Sequence, residues 1–207
     1  PGDVSSSLFF IAISVLSNKS QITLKKININ ASRMGAIDIL KKMGVKFKFK
    51  NKINYKEELI SDITVKSPKK IKSINCPTRM NSRAIDEFLI IFLIAAKAEG
   101  TSYFKDIGEL NQKESPRLKI GSKFLTMIGV KNYCTENNIK IVGNPDLQLN
   151  GKYIMKNFYK DHRVFMMSAI AALTLGGNWK IFDPDSARTS FPSFLKLIKK
   201  LGGKYIY

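Results

Sequence analysis

The sequence predicts an α/β fold of the α+β kind, built from repeated β-α-β-α-β-β units whose first helices are buried. The main observation is a repeat: the order apolar helix, short strand, amphipathic helix, glycine, alternating strand occurs three times within 207 residues. The first helix of each copy is apolar on nearly every face, and such a helix must be surrounded by protein. The junctions between amphipathic helix and strand are also alike. We therefore expect globular domains with helices inside.

The first copy begins with an apolar helix over residues 5–16 and a strand over residues 21–24. Apolar residues at helical spacing then predict an amphipathic helix, and Gly44 supplies the left-handed residue that commonly follows a helix end. Residues 45–50 alternate apolar side chains with lysine, which is typical of a half-exposed strand, and residues 62–65 add another strand. The amphipathic stripe consists of Ala36, Ile37, Leu40 and Met43.

The second copy repeats this order with an apolar helix over residues 86–98 and a strand over residues 101–104. Another amphipathic helix follows, and Gly129 after it leads into a strand over residues 130–134. Residues 138–142 predict the closing strand of the unit. The amphipathic stripe consists of Ile120, Phe124, Leu125 and Ile128.

The third copy has its apolar helix over residues 161–175, and the pair Gly176-Gly177 ends that helix. Residues 178–182 predict a strand, a third amphipathic helix follows, and residues 204–207 predict a last strand. The amphipathic stripe consists of Phe194, Ile198 and Leu201.

The chain is strongly basic, with 35 Lys and Arg against 16 Asp and Glu and a formal net charge of +19. Such a charge raises the hypothesis of nucleic-acid binding, since basic side chains neutralise phosphates. However, the lysines are scattered through a chain that is also rich in Ile and Asn, and no RNA-recognition, zinc-finger or zipper signature accompanies them. We expect small anionic ligands and no nucleic-acid partner.

Two cysteines, Cys76 and Cys134, lack a second Cys or His at metal-ligand spacing. This pattern predicts no metal site and favours a reducing compartment, so we expect a cytoplasmic protein. The longest apolar runs, residues 8–16 and 88–96, are too short to span a bilayer, and we expect no membrane partner. Because no initiator Met is present, we expect a processed chain or a piece of a longer protein.

Polar residues that interrupt the apolar pattern collect at the predicted helix starts. Free N–H groups and the positive end of the helix dipole make such starts natural anion sites, and a rotational repeat would bring them to one mouth. Each residue also has an ordinary structural alternative, such as N-capping hydroxyls, first-turn acids and Ser-Pro helix starts. The residues predict acid/base chemistry on a phosphorylated or carboxylated small molecule. The candidates are Asp86, Lys113, Glu114, Arg117 and Arg163.

Six blocks of sequence follow one another along the whole chain: Gly2-Asp3-Val4-Ser5-Ser6-Ser7, Ile85-Asp86-Glu87, Ala95-Ala96-Lys97-Ala98-Glu99-Gly100-Thr101, Glu109-Leu110 with Lys113-Glu114-Ser115 and Arg117, Asp161-His162-Arg163 with Met166, and Thr189-Ser190-Phe191-Pro192. Together these blocks resemble the enolpyruvyl transferase family and in particular its shikimate branch, the EPSP synthases. The Lys-Glu-Ser-x-x-Arg and Asp-His-Arg blocks favour that branch over the sister branch, which transfers enolpyruvyl to a UDP-amino sugar.

The resemblance implies an enolpyruvyl transferase fold: two inside-out α/β barrel domains, each made of three repeat units, with the active site between them. It implies that residues 1–52 are the last unit of one domain and residues 53–207 most of the second. The N-terminal half of the enzyme would be absent from this chain and would be its partner. The chain alone is then expected to be inactive.

The resemblance also implies roles in an addition–elimination that needs no metal or cofactor. Asp86 would accept the proton of the 5-hydroxyl of shikimate 3-phosphate, and Glu114 would protonate the methylene of phosphoenolpyruvate. Lys113 would hold shikimate 3-phosphate and assist proton transfer. Further substrate contacts would come from Ser6 and Glu109 to shikimate 3-phosphate, and from Arg117 and Arg163 to phosphoenolpyruvate.

The sequence departs from the family pattern at two positions of the Lys-Glu-Ser block. Pro116 replaces the usual Asp and fits the first position of a helix, so we expect little effect. Asn111 replaces the usual Arg and removes a charge near the cleft. Two alternatives stay open at this stage: the UDP-sugar branch of the same fold, and a non-enzymatic basic module that binds nucleic acid.

Overall fold

Three helices that are apolar on almost every side form the centre of the computed structural model, which describes residues 1–205. They are α1 (Val4–Leu16), α3 (Phe88–Ala96) and α5 (His162–Leu175), and each packs against the other two. Every residue of α3 is buried. The predicted apolar helices are therefore present, and they cover one another, as all-round apolar helices must.

Three amphipathic helices lie outside this centre: α2 (Gly35–Lys42), α4 (Arg117–Met127) and α6 (Phe194–Lys200). Their predicted stripes are buried except for Leu201, which is 45% exposed. This residue follows the last turn of α6 as its C-cap, so it no longer shares the buried side of the helix. Phe194 of α6 contacts Phe9 and Phe10 of α1 edge to face, which anchors the third repeat on the first.

The strands form three small sheets, one for each repeat. The first two sheets are antiparallel, with orders β1-β3-β2 and β4-β6-β5, and the third is the parallel pair β7-β8. The strands are β1 (Gln21–Asn28), β2 (Phe47–Tyr55), β3 (Glu58–Lys66), β4 (Thr101–Phe104), β5 (Asn132–Cys134), β6 (Ile139–Val142), β7 (Leu149–Met155) and β8 (Gly176–Ile181).

The opening β-α-β part of the predicted unit is recognisable in each repeat, because backbone segments on either side of the apolar helix pair in parallel. The two closing strands are present in the first and second repeats. In the third repeat the parallel pairing is that of β7 with β8. In the first it is the bridge from Gly2 to Ile27, and in the second the bridges from Lys72 to Glu99 and Asn75 to Tyr103. The parallel pairs flank a helix, as a β-α-β crossover requires.

The helix-to-strand junctions are alike, as the sequence indicates. Gly44, Gly129 and Gly202 have φ angles of 93°, 78° and 96°, in the left-handed region that ends a helix. One predicted strand differs: Lys204 and Tyr205 are not in a strand, and the rest of that prediction lies outside the described residues. Within residues 1–205, no helix combines the length and apolarity that crossing a bilayer requires.

The division into residues 1–52 and 53–207 is not what the structure shows. A boundary at residue 52 cuts through β2, which pairs along its length with β3. The apolar helix α1 packs against α3 and α5, and buried residues of all three repeats form one core. The physical reason is the all-round apolar character of α1: strands β1 and β3 cover part of its surface, and α3 and α5 of the other two repeats cover the rest. The three repeats therefore form one domain.

Candidate active site

The helix starts converge at one end of the three-helix centre, as the repeat predicts. The start of α1 contacts the 3-10 turn Ile85–Glu87 that precedes α3, and this turn contacts the segment Gly108–Gln112 before α4. Ion pairs connect the same turn to the starts of α4 and α5. Polar residues of the blocks at the starts of α3, α4 and α5 therefore surround one mouth of the domain.

Arg117, the first residue of α4, is the centre of this cluster. Its side chain is 1% exposed, and its guanidinium pairs with three carboxylates. Nε lies 2.9 Å from Asp161 Oδ2 and Nη1 lies 3.2 Å from Asp86 Oδ1, while Nη2 contacts Glu114. A buried charge needs such partners, because removing it from water without them is strongly unfavourable.

Asp161 holds Arg117 from the start of α5. It is the N-cap of α5, where its Oδ1 accepts the N–H of Arg163 at 2.9 Å, and its Oδ2 also accepts the Ser115 hydroxyl at 2.7 Å. Burial raises the pKa of Asp161, but Arg117, Ser115 and the Arg163 N–H together hold it below its ordinary value. The sequence suggested that Ser115 caps α4, but its hydroxyl instead donates to Asp161. Pro116 takes the N-cap position of α4, one residue before the first helical position predicted for it.

Lys113 lies between two acidic side chains. Its Nζ is 3.1 Å from Glu109 Oε1 and 3.6 Å from Asp86 Oδ1. Partial burial lowers the pKa of Lys113, but the two carboxylates outweigh this and raise it above its ordinary value. Lys113 is therefore a fixed cation next to the Asp86 carboxylate.

Arg163 approaches the same turn from α5. Its Nη1 donates to the backbone oxygen of Asp86 at 2.9 Å and lies 3.8 Å from Glu87 Oε1. Asp86 is therefore surrounded by three cations, since Lys113 and Arg117 contact its carboxylate.

Besides Glu109, whose side chain is 62% exposed, Asp86 and Glu114 are acidic groups of the cluster that a substrate can reach. Their side chains are 43% and 55% exposed, although both are held by the buried Arg117. Two accessible carboxylates beside fixed cations can take and give protons while the cations stabilise developing negative charge. Among residues 1–205, no grouping of His, Cys, Asp and Glu side chains is suited to hold a metal ion.

Ser6 differs from the other candidates in its surroundings. Its backbone N–H donates to Asp3 Oδ2 at 2.7 Å, so the carboxylate of the N-cap residue already occupies the anion position at the start of α1. Arg33 in turn pairs with Asp3 Oδ1 at 2.7 Å and lies 3.4 Å from the Ser5 hydroxyl. The Asp3 carboxylate therefore already neutralises the positive groups at this helix start, which are the free N–H groups and Arg33.

The structure brings together Asp86, Lys113, Glu109, Glu114, Arg117 and Arg163. It adds three residues to which the sequence assigned no role: Asp161, Glu87 and Arg33. Asp161 and Glu87 stand beside predicted residues in the family blocks, but their ion pairs with Arg117 and Arg163 cross between repeats. Arg33 is one of only six arginines, and it pairs with Asp3 within the first repeat. His162 is half-buried, and burial together with Arg163 lowers its pKa.

Comparison with known proteins decides the family. The sequence profile of the EPSP synthase family, described as 3-phosphoshikimate 1-carboxyvinyltransferase, matches residues 1–198. This chain belongs to the EPSP synthase family.

Individual EPSP synthases show the same relationship. The 3-phosphoshikimate 1-carboxyvinyltransferase of Ruthia magnifica is 38% identical over 202 residues, which is 98% of this chain and 46% of the relative. That of Bacillus pumilus is also 38% identical, over 97% of this chain and 46% of the relative. This chain therefore spans about half the length of the curated relatives it matches.

Solved structures give the same fold. An EPSP synthase from Acinetobacter baumannii superposes with a TM-score of 0.89 at 32% identity, covering 97% of this chain and 46% of that structure. The enolpyruvyl transferase NikO from Streptomyces tendae superposes with a TM-score of 0.69 at 15% identity, which shows a shared fold. The expected enolpyruvyl transferase fold is thus confirmed.

Proposed function

We propose that this chain is part of an enzyme that transfers the enolpyruvyl group of phosphoenolpyruvate to the 5-hydroxyl of shikimate 3-phosphate. The observation that carries the proposal is the cluster at the mouth of the domain. There the accessible carboxylates of Asp86 and Glu114 meet the cations Lys113, Arg117 and Arg163. Membership of the EPSP synthase family supports the same reaction.

The reaction is an addition followed by an elimination. The 5-hydroxyl oxygen forms a bond to C2 of phosphoenolpyruvate and gives its proton to Asp86, while Glu114 protonates C3. In the second step C3 returns a proton to the Glu114 carboxylate and the C2–O bond to phosphate breaks. The electron pair of that bond leaves with phosphate, which takes the proton from Asp86, and the products are the enolpyruvyl ether and free phosphate. Both steps require positioned acids and bases but no redox change.

The cations at the mouth suit the substrates, which are both anionic. We assign Arg117 and Arg163 to phosphoenolpyruvate, and Lys113 to shikimate 3-phosphate and to proton transfer. A guanidinium binds phosphate or carboxylate through parallel hydrogen bonds. Because Arg117 is already paired with Glu114 and Asp86, an arriving anion would replace those contacts and release the two carboxylates for catalysis.

Two assignments to shikimate 3-phosphate are supported unequally. Glu109 lies 3.1 Å from Lys113 Nζ and therefore belongs to the cluster. Ser6 could bind the phosphate only if that phosphate displaced the Asp3 carboxylate from the start of α1. The assignment of Ser6 is therefore the first to test, by measuring the affinity of a Ser6→Ala enzyme for shikimate 3-phosphate.

We infer that the rest of the enzyme supplies the facing side of the site. The chain covers about half of its relatives, and its three repeats form a single domain. In the described part of the third repeat the sheet has two strands, where the other repeats have three. Ile154 and Phe182 are exposed on or beside these strands, which is typical of a surface that further chain covers. The isolated chain should therefore be inactive.

The test is phosphate release by the enzyme that this chain forms with the remaining half. With shikimate 3-phosphate and phosphoenolpyruvate, Glu114→Gln and Asp86→Asn should each lower kcat by about 10²-fold or more. Glu99→Gln is the control, because Glu99 pairs with Lys70 beyond the other end of α3. Near-normal turnover in either site variant would overturn that residue's role. If phosphoenolpyruvate released phosphate with a UDP-amino sugar but not with shikimate 3-phosphate, the chain would instead belong to the sister branch.

A further inference from the structure

Glu87 is a buried carboxylate at the mouth of the domain that the reaction above does not use. It follows Asp86 in the 3-10 turn before α3 and is 6% exposed. Acidic side chains are rarely buried unless partners hold them, because burial strongly disfavours the charged form. The position of Glu87 therefore needs a physical explanation.

The polar partners of Glu87 come from the first and third repeats. Arg163 of α5 lies 3.8 Å away, from Nη1 to Glu87 Oε1. The Ser5 hydroxyl at the start of α1 faces the same carboxylate, and the charge of Arg33 also favours its ionised form. Burial acts in the opposite direction and raises the pKa of Glu87 above its ordinary value. One side chain of the second repeat thus contacts the first and the third.

Arg163 depends on this turn for its orientation. Its Nη1 donates to the Asp86 backbone oxygen at 2.9 Å, and among residues 1–205 Glu87 is the one carboxylate whose side chain pairs with it. Arg163 is a long side chain with several rotatable bonds, so a single hydrogen bond would leave much of its freedom. The Glu87 carboxylate adds the charged contact that fixes the guanidinium.

We propose that Glu87 is a positioning residue, which orients the Arg163 guanidinium at the mouth and ties the starts of α1, α3 and α5 together there. Its effect on phosphoenolpyruvate rests on the proposed function, whereas its effect on Arg163 does not. Glu87 does not reach the reacting atoms in this proposal. It acts through Arg163.

The first test uses the 207-residue chain and measures Arg163 directly. In NMR spectra, the guanidinium N–H signals of Arg163, assigned with Arg163→Lys, should show restricted rotation in the parent chain. Glu87→Gln keeps the shape of the side chain but removes its charge, and these signals should then average. Glu99→Gln, an exposed carboxylate at the far end of α3, should leave them unchanged. Unchanged Arg163 signals in a folded Glu87→Gln chain would overturn the positioning role.

The second test uses the enzyme assembled with its remaining half. Glu87→Gln should raise KM for phosphoenolpyruvate about 10-fold, and change KM for shikimate 3-phosphate less than about twofold, since only the orientation of Arg163 is lost. In an enzyme that already carries Arg163→Lys, Glu87→Gln should raise KM for phosphoenolpyruvate little further, and a double-mutant cycle measures this coupling. Equal changes in both KM values would contradict the proposal. If the parent enzyme transfers no enolpyruvyl group while the NMR result holds, the proposed function fails and the positioning role stands.

Discussion

The Arg117 guanidinium joins carboxylates from three segments: the turn before α3, the start of α4 and the start of α5. Asp161 is the innermost of these partners, and it also accepts hydrogen bonds from Ser115 and Arg163. This arrangement makes Asp161 a structural requirement of the site. Without it, α5 loses its cap and a buried cation loses its closest charge.

We therefore expect Asp161→Asn to lower the free energy of unfolding of the chain by about 3 kcal/mol. Urea denaturation followed by circular dichroism measures this. The control is Asp185→Asn, because Asp185 pairs with Arg188 on the surface and such pairs contribute about 0–1 kcal/mol. Similar losses in the two variants would show that the Arg117 cluster stabilises no more than a surface pair does.

Most of the cluster could be predicted from sequence, because its residues stand at helix starts and in blocks that the family shares. Asp86, Lys113 and Arg163 are examples. The contacts of Glu87 and Arg33 could not be predicted. Glu87 meets Arg163 across 76 positions of chain, and nothing in the local pattern of either segment indicates which side chains will meet. The pairing of Arg117 with three carboxylates likewise depends on how the repeats pack.

At the scale of elements, Asp62 in the central strand β3 binds the irregular segments of both neighbouring strands, β1 and β2. The pairing register shifts between Leu24 and Ile27 in β1 and between Lys50 and Ile53 in β2. Asp62 accepts the Lys26 N–H at 2.9 Å, the Asn51 amide at 2.8 Å and the Lys25 ammonium at 2.9 Å. Lys26 and Asn51 both have left-handed φ angles, which are characteristic of bulges.

This arrangement predicts an acid dependence of stability. The hydrogen bond from Lys25, followed by those from Lys26 and Asn51, lowers the pKa of Asp62 to about 2 from 3.8. A carboxyl whose pKa is lower in the folded state stabilises the fold above its unfolded value, and this contribution disappears as the pH falls from about 4 through about 2. Between about pH 4 and about pH 2, the free energy of unfolding should therefore fall less in Asp62→Asn than in the parent chain.

Comparing the parent chain with Asp62→Asn separates the contribution of Asp62 to acid stability from that of the other acidic groups. Asp161 also has a lowered pKa and contributes in the same direction, but it is present in both. Glu87 has a raised pKa, so its contribution is present at low pH and is lost as the pH rises. Parallel acid-denaturation profiles for parent and variant would contradict the role of Asp62.

The sequence predicted the elements well where periodicity is strong, and less well at strand ends. The helices α1 and α5 and the strand β4 lie where the pattern places them. β1 and β2 extend further than predicted because their outer parts are exposed and interrupted by bulges, and both features remove the alternation that signals a strand.

At the scale of the whole molecule, the threefold repeat could be predicted but its assembly could not. An all-round apolar helix must be buried, yet its sequence does not identify the surface that covers it. The resemblance to a two-domain enzyme suggested that the first repeat belongs elsewhere. Packing of α1 against α3 and α5 shows that the three repeats complete one another.

The net charge of +19 leads to a prediction about nucleic acid. Lysines spread over the surface should attract DNA or RNA at low salt only, because the affinity of such contacts falls steeply as counterions become abundant. We expect a gel shift at about 50 mM salt that is lost at about 200 mM salt. A non-basic protein of similar size is the control. A shift that persists at the higher salt would restore the nucleic-acid hypothesis.

The mutual packing of α1, α3 and α5 also has a consequence for synthesis on the ribosome. α1 ends at Leu16, but α5 begins at His162, so part of the cover for α1 emerges roughly 150 residues later. At about 5–20 residues per second, this leaves its apolar surface incompletely covered for roughly 7–30 seconds. The nascent chain should be a substrate for ribosome-associated chaperones throughout that interval, and should become independent of them only when its last repeat has left the exit tunnel.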